Sequence, residues 1–193
     1  MTLGNINFPV LVLVDTSNCL LEKISHLVPL TDEYIQKRIK DSTPEQYKIN
    51  SVIGCLLRKY LLKKYFNIDY KQQKIIFNEN NKPYLKNSKA YFNISHSNTF
   101  VVCAINSSPI GVDIEKIMSY STDICNYCFS EKEHNSIKLS NNPDIEFTKL
   151  WCTKESQIKL KGKKLSNIKD VFNNIKTYTI KYKNYIISYS IEE

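Results

Sequence analysis

Arginine is almost missing from this chain of 193 residues: Arg38 and Arg58 are its whole supply within a Lys+Arg total of 27. Such scarcity argues against a phosphate clamp or a base reader built on guanidinium forks, and no aromatic-basic RNA-binding string replaces them. Long apolar runs are missing too. None approaches the roughly 20 residues of a membrane span, and the start shows no charged segment, apolar stretch and small-residue cleavage site of an export signal. No membrane and a cytoplasmic location are therefore expected. Six cysteines do not make a disulfide framework, and Cys125 and Cys128 lack the second pair or spaced histidine of a zinc site. Cys55 and Cys103 read as small hydrophobes in a helix and an apolar strand. Ser95 and Ser97 stand beside a single histidine with no acid at hydrolase spacing, so a Ser-His-Asp triad is not expected.

What the chain does have is lysine. The net charge is +8, with lysines scattered rather than blocked into a tail. A basic surface attracts anions, whether nucleic acid, an anionic membrane, a phosphorylated small molecule or an acidic protein.

The most informative stretch is Ile110-Gly111-Val112-Asp113-Ile114-Glu115. In a strand, Ile110, Val112 and Ile114 face one way while Asp113 and Glu115 share the other face. Two neighbouring carboxylates repel, raise each other's pKa, or are neutralised by a cation or a basic residue. A hard divalent ion such as magnesium takes oxygen ligands and suits them. They also read as edge-strand charges in water.

A third carboxylate is placed by a helix. Asn142 is an N-cap with Pro143 at the first helical position, and the helix runs to about Gly162. Phe147, Leu150, Trp151 and Ile158 mark its buried stripe. Glu155 falls roughly 40° from Trp151 and roughly 60° from Ile158, at the flank of that stripe. Lys154 and Lys159 flank Glu155, which gives one helix a ligand and two phosphate-seeking ammonium groups. An ordinary i,i+4 pair between Glu155 and Lys159 fits the spacing equally well.

The rest of the chain organises into two halves, 1–107 and 108–193, joined near 106–109. The first has a buried strand at 8–14 and a core helix opened by Thr43-Pro44-Glu45-Gln46, which resembles a capping box. Ile49, Val52, Ile53, Leu56, Leu57, Tyr60 and Leu61 form the helix's apolar face, with Arg58, Lys59, Lys63 and Lys64 outward. Strands follow near 74–77, 91–94 and 100–105. The second has the Asp113 strand, a helix from about Thr122, the Glu155 helix and a closing hairpin in which Tyr178, Ile180, Tyr182 and then Ile187, Tyr189, Ile191 alternate. Helix then strands, twice over, predicts an α+β pseudo-dimer of two similar halves, although no sequence repetition is visible.

The strings FNISHS at 92–97, VVCAI at 101–105, PIGVDIEK at 109–116, FSEKE at 129–133 and LWCTKESQIK at 150–159 follow in one order. Together with NKPYL at 81–85 they closely resemble the 4′-phosphopantetheinyl transferases of the surfactin-synthetase-activating type. The resemblance implies that family's fold, with an active site in the cleft between the halves. It also implies an enzyme that takes coenzyme A as co-substrate and magnesium as cofactor. A serine of an apo acyl or peptidyl carrier protein attacks the β-phosphate, and adenosine 3′,5′-bisphosphate is released. By position, Asp113, Glu115 and Glu155 match the metal ligands. Lys154 and Lys159 match lysines near the phosphates, Ser95 and His96 the coenzyme contacts, and Lys82 with Pro83 the segment beside the adenine. Lys37 falls where a lysine meets the 3′-phosphate, with Lys40 and Lys48 as nearby alternatives. Glu133 matches a proposed general base, and Glu155 with Lys159 completes the catalytic set. A monomer with an acidic protein partner is expected.

The chain departs from the family pattern in several places: Gly54 is displaced by one position from the usual glycine, and the second half is short. Ile49-Asn50-Ser51 stands where an arginine-serine-leucine is usual, and Asn81 where a glycine precedes Lys82-Pro83. Two other classes remain open: a catalytically silent coenzyme A-binding module, which would lose a carboxylate, and a basic nucleic-acid-binding domain, which gives no reason for the acidic pair.

Overall fold

The computed structural model describes residues 9–39, 43–169, 172 and 174–192. The expected strand start at Phe8 and the alternative Lys40 lie outside them. The first half passes from β1 (Val10–Asp15) through α1 (Leu21–Ile24), α2 (Glu33–Arg38) and α3 (Glu45–Phe66) to two hairpins, β2 (Ile75–Phe77) with β3 (Pro83–Leu85) and β4 (Tyr91–Ser97) with β5 (Phe100–Asn106). The second passes from β6 (Ile110–Lys116) through α4 (Thr122–Cys128), α5 (Glu131–Lys138) and α6 (Pro143–Lys161) to the hairpin of β7 (Ile175–Tyr182) and β8 (Tyr185–Glu192).

In both halves the last strand sits in the middle of a three-stranded antiparallel sheet, in the orders β1-β5-β4 and β6-β8-β7. The expected α+β pseudo-dimer is present as a repeated topology of strand, helices and hairpin. Residue alternation along β5 ties the layers together. Phe100, Val102 and Ala104 join Ile110, Val112 and Ile114 between the two sheets, whereas Cys103 and Ile105 meet Leu61 and Leu62 of α3. With both faces buried, β5 stays apolar until Asn106.

Two expectations about α3 are corrected. The capping box at Thr43 is not made: its hydroxyl donates to the Arg38 carbonyl at 3.3 Å, and the Gln46 amide turns to Thr16 and Asn50. Arg58 does not face outward. It is fully buried, with its guanidinium 2.7 Å from Asp32 and over the Phe92 ring. A charge this deep stays only because a carboxylate accompanies it, and removing one partner of such a pair costs about 3–5 kcal/mol.

The long helix α6 follows its caps. Asn142 accepts from the Ile145 amide at 3.1 Å, Pro143 opens the first turn, and Gly162 closes the helix at φ 60°. Phe147 and Ile158 are buried against Cys125, Cys128 and Phe129, with Leu150 and Trp151 packed at the edge of that cluster. On the sheet side α6 lands directly on Gly111, where an added Cβ would lie 2.0 Å from the Ser156 carbonyl oxygen and 2.3 Å from the Leu160 nitrogen. Hydroxyls fill the rest of that contact, with Ser156, Thr177 and Ser190 bonded within 2.8 Å. Buried hydroxyls are tolerated because each finds a partner.

The β2–β3 turn of the first half holds the end of α6. Asn78 and Asn80 donate to the Gly162 carbonyl at 3.2 and 2.9 Å, and Lys82 Nζ donates to the Leu160 carbonyl at 3.0 Å. The last carbonyls of a helix have no partners within it, and a cation there also meets the negative end of the dipole.

Candidate active site

The edges of the two sheets, β4 and β6, are joined through side chains. The Val112 amide donates to Asn93 Oδ1 at 2.8 Å, Ser95 Oγ donates to Asp113 Oδ1 at 2.9 Å, and Ser97 Oγ donates to Glu115 Oε2 at 3.1 Å. The two-residue period of the strand explains the string at 92–97: its alternate polar residues all face β6. Each half thus fixes the other's functional groups.

Between the halves lies a cavity of about 590 Å³. The first half contributes Arg38, Phe77, Pro83, Ser95 and His96 to its wall, and the second contributes Asp113, Glu115, Glu155 and Lys159. The structure therefore brings together seven of the residues expected from sequence: Pro83, Ser95, His96, Asp113, Glu115, Glu155 and Lys159.

Asp113 is 2% exposed and both its oxygens are engaged. Oδ1 meets Lys159 Nζ and Ser95 Oγ, and Oδ2 accepts from the Cys152 thiol at 3.2 Å. Glu115 is pushed up to about 7, first by burial and then by the charge of Asp113, against the opposing pull of Ser97 and Lys159. Burial raises Glu155 as well, and Asp113 adds to it while Lys159 resists. For Lys159 burial works against the charged form, yet Asp113 and Glu155 outweigh it and keep the ammonium protonated. His96 is lowered by burial and by the positive charges of Lys159 and Arg38, so its imidazole is neutral near pH 7.

The other expected residues stand off the cavity wall. Lys37 is an exposed partner of Glu33 at 2.6 Å. Lys82 caps α6 and lines a separate, smaller cavity of about 220 Å³. Lys154 lies 3.1 Å from Glu133 and over the Phe129 ring. Glu133 itself accepts from the Ser130 amide and hydroxyl in a capping box at the start of α5. Lys48, an alternative to Lys37, is half-buried on α3.

The Arg38 guanidinium stacks on Tyr47 at 5.0 Å and lines the cleft. Tyr47 also meets His96 with the two rings perpendicular and their centres 5.5 Å apart. Nothing in the local pattern announces this stack, which joins residues of α2, α3 and β4. Cys152 was missed for another reason: a buried cysteine on an apolar stripe looks like packing until its acceptor is seen.

Among the described residues no group of three His, Cys, Asp or Glu side chains is arranged to hold a metal ion. The donor chemistry nevertheless fits one. Three carboxylates line a single cavity with one ammonium among them, and burial and mutual repulsion hold two of those acids above their ordinary range. A hard divalent cation relieves that excess.

Two family models account for nearly the whole chain. The one described as the 4′-phosphopantetheinyl transferase superfamily matches residues 109–191, and the one described as 4′-phosphopantetheinyl transferase, N-terminal, matches 19–108. The chain belongs to the 4′-phosphopantetheinyl transferase superfamily. Among curated members it is similar to the 4′-phosphopantetheinyl transferase Sfp of Bacillus subtilis (strain 168), at 35% identity over 64% of this chain and 56% of that protein. The 4′-phosphopantetheinyl transferase gsp of Aneurinibacillus migulanus is 39% identical over 58% of this chain and 48% of its own length. The psf-1 enzyme of Bacillus pumilus is 29% identical over 72% and 68%. The chain thus spans about half the length of the first two relatives, and the superfamily resemblance read from the motif strings holds.

Proposed function

We propose that this chain transfers the 4′-phosphopantetheine group of coenzyme A to a serine of an apo acyl or peptidyl carrier protein, with magnesium, and releases adenosine 3′,5′-bisphosphate. The observation that carries the reading is one cleft between the halves into which Asp113, Glu115, Glu155, Lys159, Ser95 and His96 all project. Membership of the superfamily supports it.

The serine oxygen forms a bond to the β-phosphorus while the bond from that phosphorus to the leaving phosphate oxygen breaks. Negative charge then grows on the leaving group, so fixed positive charge in a dry cleft lowers the barrier. Lys159 supplies such a charge on the cavity wall and Arg38 supplies another from the first half. The neutral His96 is a donor to phosphate oxygens, while Ser95, whose one proton goes to Asp113, holds that carboxylate beside the coenzyme. Asp113, Glu115 and Glu155 would hold magnesium, which supplies charge neutralisation at the pyrophosphate.

The proton of the serine hydroxyl is assigned to Glu155 acting through a water in the cleft, since its carboxylate is also one of the three that would hold the cation. Of Glu155 and Glu133, the two acids of the expected catalytic set, Glu155 is the one that lines the cleft. Glu133 instead serves α5 and Lys154. Pro83, on the cavity wall, is assigned to the base of the coenzyme, whereas Lys82 is assigned to the end of α6. For the 3′-phosphate, Arg38 replaces Lys37 as the side chain that reaches the cleft. The excess of lysine steers an acidic carrier.

The test is to incubate the protein with coenzyme A, magnesium and a panel of apo carriers and to follow adenosine 3′,5′-bisphosphate by chromatography. Carrier-dependent release supports the reading. No release with any fatty-acid, polyketide or peptide-synthetase carrier overturns it.

A further inference from the structure

At Asp113 the charge is balanced by one side chain. Lys159 Nζ contacts Asp113 Oδ1 and donates to Ser95 Oγ at 3.0 Å. Glu115 and Glu155 line the same cavity, yet among the described residues no three such side chains converge as a ligand set. The group that stands at Asp113 is an ammonium.

We propose that Lys159 is an internal stand-in for the divalent cation: it neutralises Asp113 in the ligand-free chain and must leave that carboxylate for a metal ion to be admitted. The inference rests on the metal-dependent reading above. It concerns what the chain does before any coenzyme arrives.

The two partners differ in their freedom to move. Asp113 is 2% exposed and also takes hydrogen bonds from Ser95 and from the Cys152 thiol, so its carboxylate is fixed. Lys159 reaches it on a flexible four-carbon stem, with 29% of its side chain open to the cleft. The exchange therefore moves the ammonium and leaves the carboxylate in place. An ammonium that withdraws alone would strand a buried negative charge, which is strongly unfavourable. Withdrawal and metal admission are consequently coupled.

Competition of this kind lowers the apparent affinity for the metal by the fraction of time the site is occupied by lysine. A pyrophosphate in the cleft offers the ammonium a new partner, and so the coenzyme strengthens metal binding partly by drawing Lys159 away. By linkage, the metal strengthens coenzyme binding to the same degree. A chain without the ammonium should bind the metal tightly from the start and gain less from the coenzyme.

The test measures Mn2+ binding from the electron-spin signal of the free ion, with wild type, Lys159→Met and Lys159→Gln, each with and without coenzyme A and no carrier present. Both variants are expected to bind Mn2+ on the order of tenfold tighter than wild type in the absence of coenzyme A, and to gain less from its addition. Equal or weaker binding by folded variants, with wild type binding normally, overturns the inference and leaves the metal site standing. No binding by any protein, with or without coenzyme A, removes the metal site and the inference together. A second measurement covers the case in which neither variant folds. In wild type with isotope-labelled lysine, the Lys159 side-chain resonance should move as Mg2+ is added, and an unmoved resonance in the Mg2+-bound protein overturns the inference.

Discussion

Lys154 Nζ lies 3.1 Å from Glu133 Oε1, closing a contact between α6 and α5. Burial alone would raise Glu133, but hydrogen bonds from the Ser130 backbone and hydroxyl, together with Lys154, hold it below the ordinary 4.5. An acid held down in this way is a weak base. Its stabilising contribution is present above about pH 4.5 and is lost as the pH falls through its lower value in the folded chain. Glu133→Gln, which keeps the capping box, should therefore leave the acidic limb of the kcat profile in place, and Glu133→Ala should reduce stability by about 1 kcal/mol. A flattened acidic limb in the first variant with unchanged stability in the second would give Glu133 the proton instead.

The Lys82 clamp has a pH signature of its own. Burial lowers Lys82 from 10.5 to about 8, against a partial offset from Glu192. Between those values the unfolded chain holds a proton that the native chain has released, so this residue makes stability rise with pH across that window. Urea unfolding at about pH 8 and about pH 9.5 should show that rise in wild type and a flatter response in Lys82→Met. As a clamp on α6, Lys82 should affect kcat more than the KM for coenzyme A. The opposite split would return its ammonium to the coenzyme.

Gly111 is a test of how closely α6 seats on β6. Its missing Cβ would sit 2.0 Å from a backbone oxygen of the helix, and a backbone atom cannot swing aside as a flexible side chain can. Gly111→Ala is expected to destabilise the chain by about 3 kcal/mol or more and to lower activity with it. Wild-type melting behaviour in that variant would mean that the helix sits farther out.

Legibility in the sequence followed the range over which each cause acts. The α6 helix could be read to its end residues because its caps, Asn142 and Gly162, are local, and the shared face of Asp113 and Glu115 follows from the period of a strand. The partners of those acids could not be read. That Ser95 and Ser97 donate to them depends on two sheet edges meeting across a gap of 18 residues in the chain. Arg58 was misplaced because a helical wheel cannot know that Asp32 waits on the apolar side. The internal repeat is invisible in residue identities and plain in strand order, since topology constrains where elements pack and leaves open which apolar residues pack there.

Glu155→Ala separates chemistry from folding. Removing one of three crowded carboxylates relieves repulsion, so stability should hold or rise. Turnover should fall by orders of magnitude, because the lost group serves the developing charge and the proton. Full activity of this variant at low magnesium would contradict its assigned role.

The most direct measurement is the intact mass of the carrier protein. After incubation with this chain, coenzyme A and magnesium, an apo carrier should gain roughly 340 Da, the mass of the transferred group, with fragmentation placing it on one serine and no gain once that serine is replaced by alanine. Carriers of fatty-acid, polyketide and peptide-synthetase type that all keep their apo mass would contradict the account.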